Sequence, residues 1–301
     1  MATHITVLQT EAVEALALTK SSTVVDATLG SGGHAREIVA RLGTKGTLIG
    51  IDADDTAIGA LSEVFGTTTC TTHLVNDNFE HIDSILDLLH IEKVDAILAD
   101  LGWRMEQFSG NGKGFSFQVD EPLLMTYGNP EKYAFTAKDI LNEWSEESIA
   151  NVLKGYGEER FARRIAHHIV TAREKKEILT TSELVAIIEG AVPMFYQKGR
   201  IHPATRTFQA LRIAVNDEFG VLERFIAKSI GRLKDGGRIA IITFHSLEDR
   251  MVKHHFKNFA YDHHGVVVTK KPITASQDEL RTNPRARSAK LRVFEKHEEK
   301  T

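Results

Sequence analysis

The stretch that most constrains this chain is Thr23-Val24-Val25-Asp26-Ala27-Thr28-Leu29-Gly30-Ser31-Gly32-Gly33-His34. Its apolar, β-branched start reads as a short buried strand of a parallel sheet. Three glycines within four residues then lead into an amphipathic helical pattern carried by Ile38, Val39 and Leu42. Glycines let the backbone approach a ligand closely, and a helix N-terminus favours negative or hydrogen-bond-accepting groups. A second strand, Thr47-Leu48-Ile49-Gly50-Ile51-Asp52, ends in an acid. A carboxylate at that point, roughly 20 residues past the glycines, is placed to grip ribose hydroxyls. The half-site reads as a nucleoside-cofactor binder, with a plain tight turn as the bland alternative.

The glycine spacing narrows the cofactor. The dinucleotide pattern G-x-G-x-x-G requires a glycine where this chain has Ala35, so a pyrophosphate cradle is only partly matched. The pattern Asp-x-x-x-Gly-x-Gly-Gly suits S-adenosylmethionine better. That ligand carries no phosphate, and Asp26 can face its cationic amino and sulfonium groups.

Further along, residues 73–76 can form a third strand followed by Phe79, and Val94-Asp95-Ala96-Ile97-Leu98-Ala99-Asp100-Leu101-Gly102 a fourth. In open α/β sheets ligands sit at the carboxyl ends of the strands. Asp26, Asp52, Phe79 and Asp100 all fall at such ends. Phe79 can lie against a flat adenine or simply close the core edge. From about 103 to 205 no convincing strand is read. Helices are expected over 145–153, 158–176 and 182–190, the last with a capping box between Thr180 and Glu183. The α/β pattern resumes with one long helix over 207–233, a fifth strand over 238–244, and a terminal hairpin pairing 266–269 with 291–294. The expected fold class is α/β: a Rossmann-like class I methyltransferase sheet interrupted by an inserted all-helical substrate-recognition domain. The expected boundaries are 1–103 with 206–301 for the sheet domain and 104–205 for the insertion. A nicotinamide-dependent dehydrogenase is the rival, opposed by Ala35 and the hairpin.

A net charge of −4 argues against wholesale nucleic-acid coating, so any contact must come from local basic patches. Three stand out: Arg160, Arg163, Arg164, His167, Arg173, Lys175 and Lys176; the hinge 198–206; and 281–290. Each alone reads as a solvated face, while three together suggest a phosphate-binding surface. The candidate substrate contacts are Arg163, Arg164, Arg206, Asn216 and His245. The histidine pairs lack cysteine partners at ligand spacing, so no metal is expected, and no nucleophile elbow supports a Ser-His hydrolase. A single cysteine, Cys70, the absence of a leader pattern and the absence of a long apolar run make a cytoplasmic location and no membrane contact the expectation. Asp100-Leu101-Gly102 lies where amino-group methyltransferases keep a polar residue facing the target amine. Asp100 is therefore the candidate catalytic residue.

With these residues in hand, the chain resembles the bacterial small-subunit ribosomal RNA cytosine-N4 methyltransferases of the RsmH (MraW) type. The resemblance rests on residues 26–34, Gly50-Ile51-Asp52, Asp100-Leu101-Gly102, Gly114-Phe115-Ser116-Phe117, Tyr156-Gly157-Glu158-Glu159-Arg160, 202–218, 243–250 and 283–290. It implies S-adenosyl-L-methionine as cofactor, bound through Gly32, Gly33, His34, Asp52, Phe79, Asp100 and Gln107. It also implies, as substrate, a cytosine in the decoding region of 16S rRNA within the small ribosomal subunit; a homodimer is a candidate assembly. The chain departs from the family at Trp103-Arg104-Met105-Glu106-Gln107-Phe108-Ser109 and at Leu123-Leu124-Met125-Thr126-Tyr127-Gly128-Asn129, both beside the expected acceptor pocket. The alternative reading is a cofactor- and ribosome-binding member with weak or altered target specificity.

Overall fold

The structure, a computed structural model, describes residues 5–101 and 112–298. The chain divides into two compact units, Met1–Gly102 with Gly220–Thr301, and Trp103–Phe219. The first stretch supplies α1 (Gln9–Ala15), β1 (Thr23–Asp26), α2 (Gly33–Arg41), β2 (Thr47–Asp52), α3 (Asp55–Phe65), β3 (Thr71–Asn76), α4 (Ile82–Leu88) and β4 (Val94–Asp100). The middle unit holds α5 (Ala137–Glu143), α6 (Glu146–Gly157), α7 (Ala162–Arg173), α8 (Thr181–Ala191), α9 (Met194–Gln197) and α10 (Thr205–Val215). The return brings α11 (Glu218–Arg232), β5 (Leu233–Thr243), α12 (Ser246–Tyr261), β6 (Gly265–Val267), α13 (Gln277–Thr282) and β7 (Lys290–Lys296).

Among the described residues the sheet runs β3-β2-β1-β4-β5-β7-β6. Its first five strands are parallel and its last two antiparallel to their neighbours, which is the Rossmann-like methyltransferase arrangement. Successive side chains on a strand point to opposite faces, and here both faces are covered. Val24, Leu48, Leu98 and Ile242 join one apolar cluster with α1 and α2 residues, while Val25, Ile49, Ile97 and Ile241 join another with α4 and α11 residues. Strands buried on both faces need unbroken apolar runs, and that is why β1, β2 and β4 read as continuous hydrophobic stretches. No helix of the described residues is long and apolar enough to cross a membrane.

The helical unit has its own core, with Ile140, Ile149, Leu153, Ile165, Leu184, Phe208 and Leu211 buried together. Buried Glu121 organises its glycine-rich loop, taking the N–H groups of Gly112 at 3.2 Å and Gly114 at 2.9 Å. The expected capping box of α8 is present, with Thr180 and Glu183 as its partners.

The single long helix expected over 207–233 is a correction. It breaks at Asn216 and Asp217, where Asp217 takes a left-handed φ of 47°. One apolar stripe thus serves two helices in different units. Phe208 and Leu211 join the helical core, while Leu222 joins the sheet core. The sequence reading returns the chain to the sheet domain at 206, but by packing the return falls at 220.

Candidate functional site

The carboxyl ends of β1, β2 and β4 are tied to one another through backbone groups and short polar side chains. Past β1, Ala27 N–H donates to Leu98 O at 2.8 Å and Leu29 N–H to Ile51 O at 2.9 Å. Thr28 Oγ1 accepts from the Asp100 N–H at 2.7 Å, which fixes the backbone of the acid that ends β4. Asp52 ends β2 and accepts from Gly30 N–H through Oδ2 at 2.6 Å and from Asp54 N–H through Oδ1 at 2.9 Å. Three carboxylates, Asp26, Asp52 and Asp100, therefore stand at neighbouring strand ends around the glycine turn.

Asp26 is 1% exposed. Burial pushes its carboxyl up to about 7; the Thr28 amide at 3.3 Å opposes this, and the Asp100 and Asp52 carboxylates add to it. Its Oδ2 is buried without a hydrogen-bond partner among the described residues. A buried polar atom of this kind asks for a ligand group or a water.

The turn itself is held from above by the segment before α1. Gly32 caps α2 with φ 74°. A Cβ on Gly33 would fall 1.8 Å from Thr6 Oγ1, so only glycine permits this approach as it stands. Gln9 Nε2 donates to Gly33 O at 2.8 Å. His34 is buried, with Nε2 at 3.1 Å from Val7 O. A carbonyl can only accept, so Nε2 carries a proton and Nδ1 is left facing Asp100 Oδ2 at 4.0 Å. The segment is tied in turn to α13: Leu8 N–H donates to Glu279 Oε1 at 2.8 Å and Asn283 Nδ2 to Ile5 O at 3.2 Å. Gln9, Glu279 and Asn283 carry no signal in composition or periodicity, because their work is to satisfy single backbone groups.

Phe79 follows β3, half-buried, in a T-shaped contact with Phe225 at 4.9 Å. It packs at the core edge and is partly exposed. Gln107 lies outside the described residues.

The candidate substrate residues fall in both units. Arg163 and Arg164 are exposed on α7. Arg173, on the same helix, instead donates to Leu141 O at 2.9 Å. Arg206 donates to Glu158 O at 2.9 Å, beside the left-handed cap that ends α6. Asn216 is a bracket: Nδ2 donates to Met125 O at 2.7 Å and Oδ1 accepts from Tyr127 N–H at 3.0 Å. His245 is in the sheet unit as the N-cap of α12, in a reciprocal box with Glu248. The Asn216 side chain thus positions backbone, while His245 takes the Glu248 N–H through Nδ1 and sets Nε2 at 3.1 Å from the Glu248 carboxylate. Arg163 and Arg164 remain available to solvent.

Comparison with known proteins adds a family. The model of the MraW methylase family matches residues 1–297. The chain is 46% identical to the ribosomal RNA small subunit methyltransferase H of Acetivibrio thermocellus, covering 97% of this chain and 98% of that protein. It is 44% identical to the protein of the same name from Symbiobacterium thermophilum, over 97% and 96% of the two chains. A solved rRNA methylase from Streptococcus thermophilus is 14% identical with a TM-score of 0.44, over 98% of this chain and 99% of its own.

Proposed function

Because this chain belongs to the MraW methylase family, we propose that it is an rRNA methyltransferase that places a methyl group on the N4 amine of a cytosine in the decoding region of 16S rRNA. The small ribosomal subunit presents that base. The observation that carries the reading is the meeting of Asp26, Asp52, Asp100 and the Gly32-Gly33 turn at the carboxyl ends of parallel strands.

The cofactor is S-adenosylmethionine, and the residues present suit it. Asp26 offers a buried carboxylate oxygen without a partner among the described residues, matched to a cationic ligand rather than to a pyrophosphate. Asp52, oriented at the end of β2 by the Gly30 and Asp54 N–H groups, is the carboxylate for the ribose hydroxyls. Partly exposed Phe79, past the end of β3, is the residue to meet the flat base. Bound S-adenosylmethionine supplies a methyl already activated by its sulfonium, so positioning provides most of the catalysis.

The protein's own task is to prepare the amine. An exocyclic cytosine nitrogen is a poor nucleophile because its lone pair is delocalised into the ring. Asp100, accepting a hydrogen bond from that amine, localises the pair and shares the positive charge that develops. Its backbone is fixed by Thr28, and its carboxylate faces the His34 ring.

Three outcomes test the proposal. Mass spectrometry of 16S rRNA from cells lacking the gene should show one N4-methylated cytosine fewer than the parent; an unchanged modification pattern would refute the activity. In calorimetry, Asp52→Ala should weaken S-adenosylmethionine binding by about 1.5–3 kcal/mol, the range for hydrogen bonds to a charged group. Unchanged affinity would remove Asp52 from the ribose. Neutralising Arg163 and Arg164 together should lower affinity for small ribosomal subunits, spare cofactor affinity and reduce the salt slope by about two. A full salt slope in that variant would make α7 a solvated face only.

A further inference from the structure

We infer that the exposed ring of Phe195 is a stacking platform for an unpaired RNA base, set where two basic segments of the helical unit meet. The inference rests on the rRNA methyltransferase reading for the identity of the ligand as RNA. Phe195 on α9 is 65% exposed, next to Met194 at 62% and close in sequence to Ile201 at 49%. A single exposed apolar side chain needs no explanation. A run of them on one short segment is different, because it costs solubility without contributing to a core.

The surroundings say what the ring is for. Its centroid lies 6.3 Å from that of Phe161, and Phe161 lies 4.9 Å from Tyr196. The Arg160 guanidinium stands 5.6 Å from the Phe161 centroid. Arg160 and Arg164 are exposed at the start of α7, and Lys198 and Arg200 are exposed just past α9. Two basic clusters that are far apart in sequence therefore converge on one aromatic pair. The pair is held by an acid that hides its charge. Glu159 is 3% exposed, accepting from Phe161 N–H at 2.7 Å and from the Tyr196 hydroxyl at 2.8 Å. The surface is left with an exposed ring whose neighbour Phe161 carries the Arg160 guanidinium, and with exposed Lys198 and Arg200 just past it in the chain. Single-stranded RNA is bound by this combination, with the cations tracking phosphates and the ring stacking a base. A protein partner would use the ring as apolar area alone and would have no need of its planarity.

The test is titration of purified small ribosomal subunits with the full-length protein and three variants. Phe195→Ala and Phe195→Leu should each weaken binding roughly tenfold, within the range for loss of one stacked base. Phe195→Trp should bind at least as tightly as the parent. Because stacking releases no counterions, the salt slope of Phe195→Ala should match the parent's. Melting temperatures of all three should stay at the parental value, since the ring is largely outside the core. Parental affinity in Phe195→Ala would overturn the inference. Parental affinity in Phe195→Leu would overturn it in favour of a plain apolar contact with protein. A parent that binds subunits in a Phe195-dependent way but leaves their RNA unmethylated would refute the proposed function and leave the platform standing. A parent that methylates while Phe195 is dispensable would do the reverse.

Discussion

Asp100→Ala should slow single-turnover methylation by on the order of a hundredfold or more, while RNA affinity changes far less. That is the usual cost of losing a preorganised group aimed at charge that develops only in the transition state. Thr28 pins the Asp100 backbone at 2.7 Å, so the strand end that carries the acid is held before substrate arrives. Asp100→Asn should be milder, because an amide oxygen still accepts a hydrogen bond but carries no charge. Both variants must be assayed at saturating cofactor, with cofactor affinity measured alongside. Parental rates under those conditions would remove Asp100 from the chemistry and leave the backbone carbonyl of Leu101 as the nearest alternative.

The second large effect belongs to Asp26, whose carboxyl burial pushes up to about 7 from an ordinary value of 3.8. An acid raised in this way holds more protons folded than unfolded. Its contribution therefore favours the fold at low pH and is lost as pH climbs from about 4 to about 7. Above 7 the deficit levels off at about 4 kcal/mol, three pKa units at about 1.4 kcal/mol each. Asp26→Asn, which never ionises, should accordingly stabilise the ligand-free protein at pH 8 by a few kcal/mol and by clearly less at pH 5. Urea melts at the two pH values decide it, and an equal gain at both would place the ionisation elsewhere. A cationic ligand reverses the balance by favouring the ionised carboxylate. Affinity for S-adenosylmethionine should then rise with pH up to about 7 and flatten beyond.

The strand-end positions of these two carboxylates were legible because a strong local pattern marks them. Apolar runs ending in acids mark strand ends, and strand ends of parallel sheets mark ligands. The same continuity of Val, Ile and Leu identified β1, β2 and β4, and the two clusters that sandwich the sheet explain why those runs do not alternate. The break between α10 and α11 was not legible. A 3.6-residue stripe survives a one-residue kink at Asp217, and nothing in periodicity reports a positive φ. Asn216 and His245 were read from residue type alone, which does not report their intramolecular roles. A polar side chain near a basic segment suggests a ligand contact, yet here one brackets residues 125–127 and the other caps α12. Side-chain bonds to distant backbone depend on three-dimensional proximity, which residue type does not encode. For the same reason Gln9 and Glu279 at the glycine turn escaped notice.

The position of β7 sets an order on how this protein can be made. Among the described residues β7 is an interior strand, bonded to β5 on one side and β6 on the other, although it follows both in the sequence. During synthesis β5 therefore carries an open edge, and β6 has nowhere to pair, until residues 290–296 emerge. The glycine turn waits as well, since the contact from Leu8 to Glu279 joins residues 271 apart. Domains usually fold from the N-terminus as they appear. Here the oldest part of the nascent sheet domain stays unfinished until the youngest arrives. Messages truncated anywhere before codon 290 should yield chains that expose a sheet edge and engage chaperones or proteases rather than accumulate as partial methyltransferases.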